Sequence, residues 1–160
     1  MKFTNKLFTK LAAGVIISGL GLMNVYAASL SSLSDTLSSA KINTVSNHSF
    51  SFVTPTGVAS GAIIVITFPT DFSIPVGLTY ADVDINSGAT PTTASSTLAA
   101  APVGATVGVV RTSSTVLTIT NGTTVIAPGT TVYVRIGTNA IHQSTGTFQI
   151  TNATTNGSKA

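Results

Sequence analysis

Polar and apolar side chains alternate over much of this chain beyond residue 40. The segments His48–Phe52 (HSFSF) and Thr131–Ile136 (TVYVRI) carry large apolar side chains at every second position. Successive side chains of a β-strand point to opposite faces, so a period of two predicts two strands here. In the second strand, Tyr133 and Arg135 are predicted to lie on the face opposite the valines.

One segment is apolar almost without interruption. Ala62–Phe68 (AIIVITF) is rich in β-branched residues and is followed directly by Pro69. A short continuous apolar run that ends in a turn signal is typical of a strand in the middle of a sheet. We therefore predict a central strand here, buried on much of both faces.

The remaining pattern predicts several more short strands with turns between them. Asn121-Gly122 is a strong hairpin signal, and the small, polar residues Asn86–Pro102 predict the most flexible loop. About seven or eight short strands, without long helical periods between them, predict an all-β antiparallel sandwich, with a closed barrel as the structural alternative. The further strands are predicted at Tyr80–Ile85, Thr106–Val110, Thr115–Thr120 and Thr147–Thr151.

The N-terminus has the order of a secretory signal peptide. Basic residues 1–10 precede an apolar run of 13 residues, Leu11–Met23, and Val25-Tyr26-Ala27 supplies small residues at the −3 and −1 positions of a cleavage site. The run is shorter than the roughly 20 residues of a membrane span. We predict a helical signal peptide over residues 1–27, cleavage after Ala27, export to the cell surface or medium, and no membrane span after removal of the signal.

The rest of the chain divides into a lead-in and one domain. In residues 28–40, Leu30, Leu33 and Leu37 recur at helical spacing and predict a short helix or an ordered lead-in. Residues 41–160 are predicted to form the β-sandwich. Because nothing apolar follows Asn152, we expect this domain to lack its final strand and the chain to be a fragment of a longer protein.

Charge and composition exclude some functions. The chain has a formal charge of +3, but three of its lysines lie in the first ten residues, and the remainder has four cations and four aspartates. Nucleic-acid binding through clustered Lys and Arg is thereby excluded. The absence of Cys excludes disulfides and thiolate-bound metals.

Candidate chemistry is sparse. His48 and His142 are the two histidines, and without a nucleophile-elbow motif they predict no catalytic site, so we expect no enzyme. Lys41 and Asn139 lie near an early and a late strand, where a side-chain isopeptide with an Asp would join them. The alternative is that Lys41 is a solvated strand end.

Two ligand sites are candidates. Asp82, Asp84 and Asn86 alternate like the oxygen ligands of a calcium loop, although the positions of the invariant Gly and Glu of an EF-hand are not matched. The alternative is an exposed strand face that ends in a turn, with no cofactor. Tyr80 and Tyr133 are the candidates for an aromatic surface that binds a glycan.

Four segments together resemble a known group of domains. They are Leu33–Leu37 (LSDTL), Asn47–Phe52 (NHSFSF), Thr54–Val58 (TPTGV) and Ile64–Pro69 (IVITFP). This series resembles the immunoglobulin-like β-sandwich domains at the start of exported bacterial cell-surface proteins, which are largely uncharacterised. The resemblance implies the fold and the location, since the motifs describe packing and carry no catalytic residues.

These observations favour a structural or adhesive module that contacts other modules or subunits through its strand edges. A carbohydrate-binding module is the first alternative. The second is a fibre subunit that a strand from a partner completes.

Overall fold

A computed structural model describes residues 30–88, 96–142 and 145–155 of the chain. The predicted signal peptide, its cleavage after Ala27 and residues 89–95 of the predicted flexible loop lie outside these residues. The described residues contain ten strands and one short 3₁₀ helix, at Tyr80–Asp82. The strands are β1 (Ser31–Leu37), β2 (Val45–Ser46), β3 (His48–Thr54), β4 (Ile63–Thr67), β5 (Val83–Ser87), β6 (Leu98–Ala99), β7 (Val107–Arg111), β8 (Val116–Thr120), β9 (Thr130–Ile136) and β10 (Ile150–Thr151).

The strands form three sheets. One four-stranded sheet has the order β1-β3-β9-β5, a second has the order β4-β8-β7-β6, and β10 pairs with β2. All pairs are antiparallel except the two-residue parallel pair of β6 with β7. The prediction of an all-β, antiparallel fold is therefore confirmed, apart from that one pair.

Both four-stranded sheets contribute to one hydrophobic core. The inward side chains of β3 and β9 alternate with half-buried ones, as the period of two predicts. Tyr133 and Arg135 lie on the other face of β9, half-buried. The core side chains with no exposed surface are Ile119, Val132, Val134, Ile136, Ala140 and Ile150.

The lead-in forms a strand, so the prediction of a short helix is wrong. Ser31–Leu37 pairs antiparallel with β3 as the edge strand β1, and the Ser34 and Ser51 hydroxyls lie 2.8 Å apart across the pair. Ser, Thr and Asp compete with helical hydrogen bonds through their side chains and so favour other conformations. The leucine spacing was too weak a signal against this composition.

The hairpin predicted at Asn121-Gly122 is also wrong. The strand before it, β8, and the strand after it, β9, belong to different sheets, so the chain crosses from one sheet to the other here. Asn121 is buried, and its side-chain amide donates to the carbonyls of Ala59 (3.1 Å) and Thr124 (2.7 Å). These bonds fix the crossover in place of a two-residue turn. The turn predicted between the strands Thr106–Val110 and Thr115–Thr120 does join an antiparallel pair, β7 and β8.

The last predicted strand is shorter than expected but firmly placed. Ile150–Thr151 pairs with β2, and a bridge joins Thr151 to Ser73. Beyond it, the buried Asn152 side chain donates to the carbonyls of Ser39 (2.7 Å) and Lys41 (3.0 Å). No helix in the described part of the chain is long and apolar enough to cross a membrane.

Candidate strand-pairing site

The most apolar strand of the chain lies at a sheet edge, so its prediction as a central strand is wrong. In the order β4-β8-β7-β6, β4 has β8 on one side and no further strand among those described on the other. Ile63 is 59% exposed and Val65 is 56% exposed. A continuous apolar run cannot by itself distinguish a strand buried on both faces from an apolar edge, because both satisfy the same pattern.

The pairing of β4 with β8 determines which of its backbone groups face outward. The N–H of Asn121 donates to the carbonyl of Ala62, and the N–H of Phe68 donates to the carbonyl of Thr115. Both pairs follow the register of the ladder, in which Ile64 lies opposite Ile119. Hydrogen-bonded and non-hydrogen-bonded pairs alternate in an antiparallel ladder, so the even-numbered residues of β4 bond to β8. The N–H and C=O groups of Ile63, Val65 and Thr67 therefore point toward the free edge.

Two cavities follow one another along this edge. The first, of about 270 Å³, extends along Ile63–Val65 and is also lined by Leu30 and Phe52. The second, of about 310 Å³, extends along Ile66–Pro69 and is lined by Leu33 and Asp35 among others. We call the two cavities together the β1–β4 groove, because β1 or the residue before it lines one side and β4 lines the other.

The groove is the place where the core is incompletely covered. Five apolar side chains pack against the core while only partly buried, and every one of them lines one of the two cavities. A strand laid against β4 would cover these side chains with its inward residues and pair its backbone with the outward groups of β4. The five residues are Phe50, Ala62, Ile64, Ile66 and Phe72.

A buried histidine fixes β1 beside the groove. His48 is 1% exposed, and its Nδ1 lies 2.7 Å from Oδ2 of Asp35, whose side chain is 27% exposed. The His48 ring also contacts Phe68 edge-on at 5.2 Å and stacks on Phe50 at 5.9 Å. The prediction of His48 as a strand residue beside Phe50 is confirmed. Its acidic partner on β1 is not predicted from the sequence, because a short helix in residues 28–40 would not pair with β3.

Nε2 of His48 is buried and has no hydrogen-bond partner. Because Nδ1 lies 2.7 Å from a carboxylate oxygen, the ring is best placed to donate from Nδ1 to Asp35. The pair thus ties β1 to β3 beside the groove. The other histidine, His142, is an exposed loop residue.

The acidic pair proposed for calcium is buried, which contradicts the alternative of an exposed strand face. Asp82 and Asp84 are each 2% exposed. One oxygen of Asp82 accepts from the backbone N–H groups of Thr147 (2.7 Å) and Phe148 (2.9 Å). Asp82 ends the 3₁₀ helix instead of lying in a strand, and its other oxygen accepts from the N–H of Thr79 at 2.9 Å.

Asp84, which lies in β5, has an equivalent role. Its two oxygens accept from the backbone N–H groups of Ile141 (2.8 Å) and His142 (3.1 Å). The third candidate ligand, Asn86, accepts from the N–H of its neighbour Ser87 at 2.9 Å. The bonds of Asp82 and Asp84 hold the connection from β9 to β10 against the sheet. No group of three or more His, Cys, Asp or Glu suited to a metal occurs within the described ranges, and the calcium site stays a prediction.

The two tyrosines lie in different surroundings. Tyr80 is 36% exposed and borders a shallow cavity of about 280 Å³ together with Arg111. Tyr133 is half-buried on the outward face of β9, between Ser51 of β3 and Asn86 of β5. Tyr133 does not line the cavity that Tyr80 borders.

The residues of the predicted isopeptide have other contacts. The Asn139 side chain donates to Oγ of Ser49 at 3.0 Å, and its Oδ1 is buried without a hydrogen-bond partner. Lys41 is exposed, and its carbonyl accepts from Asn152. The covalent bond between Lys41 and Asn139 stays a prediction.

Comparisons of this chain with protein-family models, with curated proteins and with solved structures found no match. The functional argument therefore depends on the groove itself. Its chemistry is that of an acceptor for an extended chain: unpaired backbone groups on β4, apolar cavities beside them and one carboxylate at one end.

Proposed function

We propose that this chain is a non-catalytic structural or adhesive module of an exported bacterial surface protein, built as an immunoglobulin-like β-sandwich. In this proposal the module joins neighbouring modules or subunits through the β1–β4 groove. The N-terminal pattern of basic, apolar and small residues supports export, and the shared core of the two four-stranded sheets supports the sandwich.

One observation carries the proposal. The strand with the longest apolar run is an exposed edge. In the part of the chain that the structure describes, the five partly buried apolar side chains that pack against the core line the two cavities along this edge. Exposed edges of this kind pair readily with another chain. In a module whose role is assembly, such an edge would bind the neighbouring module.

The same observation favours one further candidate, a fibre subunit completed by a strand from a partner. Both candidates require an extended segment in the groove, with apolar side chains at every second position to fill the cavities. They differ in whether the module is stable alone. A cooperative melt of the isolated chain supports the module, and folding only with an added strand supports the fibre subunit.

Amide NMR on the full chain tests strand acceptance. The probe is a seven-residue peptide of alternating Thr and Val with a Lys at each end, titrated into labelled protein. We expect shift changes concentrated at the amides of Ile63, Val65 and Thr67, whose N–H groups point to the free edge. The control peptide has the same side chains but N-methyl groups on its pairing edge, and it should cause no change.

Two outcomes would contradict the proposal. One is the absence of shift changes with the unmethylated peptide at millimolar concentration. The other is a set of changes around Tyr80 or Tyr133 when oligosaccharides are added instead, which would support the carbohydrate-binding alternative.

A further inference from the structure

We propose that the strand which occupies the free edge of β4 is β4 of a second copy of this chain, paired antiparallel about a twofold axis at Val65. This inference rests on the proposed function, because it names the partner for the same edge. Each copy contributes its four-stranded sheet β4-β8-β7-β6, and the pairing joins the two into one continuous sheet.

The backbone of β4 is complementary to itself. Its outward groups belong to Ile63, Val65 and Thr67, which are evenly spaced about Val65. In an antiparallel pairing centred there, Val65 lies opposite Val65 and Ile63 lies opposite Thr67 of the other copy. Each of these positions presents both an N–H and a C=O to its partner, so the pairing forms about six backbone hydrogen bonds. A shift of one residue would place these outward groups opposite residues whose own N–H and C=O groups bond to β8, and the bonds would be lost.

The exposed side chains on this side of the molecule are complementary as well. Ile63 and Val65 lie on the solvent face of β4, where cross-strand neighbours of the second copy would cover them. Leu33, 65% exposed, and Leu30, 46% exposed, line the groove from the other side. The twofold turns the groove of one copy toward the groove of the other, so these leucines are also removed from water.

Charge favours a second copy over a charged partner. A twofold axis brings like residues together, and β4 (IIVIT) contains no charged residue that would be repelled. Asp35 is the charged side chain of the groove, and it lies near the Ile66–Pro69 end. The two Asp35 carboxylates would be roughly 15–20 Å apart along the paired strands. That separation exceeds the Debye length of about 8 Å at physiological salt, so their repulsion is largely screened.

Cysteine cross-linking of the full chain tests the register directly, since the natural sequence has no Cys. In a hydrogen-bonded pair the Cα atoms lie about 5.5 Å apart, within the range that a disulfide spans. With oxidised glutathione as oxidant, Val65→Cys should form a disulfide-linked dimer. Ile63→Cys and Thr67→Cys should each stay uncrosslinked alone but crosslink when mixed. Pairing raises the effective thiol concentration toward millimolar, so we expect at least roughly tenfold faster cross-linking than for exposed Val103→Cys.

Light scattering during size-exclusion chromatography provides the second measurement. The wild-type chain should shift toward twice the single-chain mass as its concentration rises. Val65→Lys and Val65→Pro should stay at the single-chain mass, whereas Val103→Lys should behave like wild type, because Val103 is 75% exposed in a loop. Circular dichroism confirms that each variant is folded.

The outcomes separate this inference from the proposed function. A wild-type chain that stays at single-chain mass and shows no register-specific cross-linking overturns self-pairing. If the strand peptide still shifts the β4 amides, the edge accepts a strand of another protein and the proposed function stands. If neither experiment shows an effect, both proposals fail.

Discussion

The two strands that border the groove, β1 and β4, are both sheet edges, but they differ in register, charge and exposed side chains. β1 has an irregular register between Ser31 and Ser34, Ser32 in the left-handed region at φ 54°, and an inward-pointing Asp35. β4 pairs with β8 in unbroken register, has no charge, and exposes Ile63 and Val65.

Bulges and inward charges are features by which natural sheets discourage edge-to-edge pairing. β1 has both features and β4 has neither. The difference indicates that the open groove is not a general weakness of a small β-domain. One of its two sides is protected against a new strand, and the other side is free to accept one.

The largest expected effect is the difference in free energy of unfolding between a substitution on the paired side of β4 and one on its free side. Ile64→Pro removes an N–H that bonds to β8 and leaves a carbonyl of β8 unpaired, and it should lower the free energy of unfolding by about 2–4 kcal/mol. Val65→Pro removes an N–H that points to the free edge and should cost about 1 kcal/mol or less, since Pro is tolerated at such edge positions. Urea unfolding measures both. Equal losses would show that β4 is not an edge in solution.

A smaller effect is expected from releasing β1. Asp35→Ala leaves Nδ1 of the buried His48 without its partner and should cost about 1–3 kcal/mol. The control is Ser34→Ala, on the same strand, which loses only an exposed hydroxyl pair and should stay within about 0.5 kcal/mol of wild type. Urea unfolding again provides the values. A loss for Asp35→Ala no larger than for its control would mean that the hydrogen bond between Asp35 and His48 does not hold β1.

Val65→Thr changes the surface of the free edge without changing its backbone. Because Thr matches Val in shape and in preference for strands, the free energy of unfolding of the single chain should change by less than about 0.5 kcal/mol. Replacing one buried methyl in each of two copies, at about 0.8 kcal/mol each, should weaken self-association roughly tenfold. Analytical ultracentrifugation measures the dissociation constant, with Val103→Thr as control. Unchanged association would indicate that the exposed valine is not in the contact.

Hydrogen exchange compares neighbouring amides with no substitution at all. In dilute protein the amides of Ile64 and Ile66, bonded to β8, should exchange at least roughly tenfold more slowly than those of Ile63 and Val65. At high concentration the difference should shrink as pairing protects the outward amides. A uniform exchange rate along β4 at low concentration would contradict the alternation derived from the ladder.

The sequence by itself determined the fold class and most strands. The period of two over His48–Phe52 and Thr131–Ile136 depends only on the geometry of an extended chain, and both segments are strands with the expected inward face. The turn between β7 and β8 could also be predicted, because a turn between adjacent paired strands is a local property.

Only the tertiary structure decided the candidate site. The apolar run of β4 is compatible with a central or an edge position, and the choice depends on which strands pair with it from distant parts of the chain. Likewise, Asp82 and Asp84 alternate as on an exposed face, yet they are buried because the loop from β9 to β10 folds over them and supplies backbone N–H donors. Local pattern specifies the conformation of a segment, whereas its neighbours in space determine what remains uncovered.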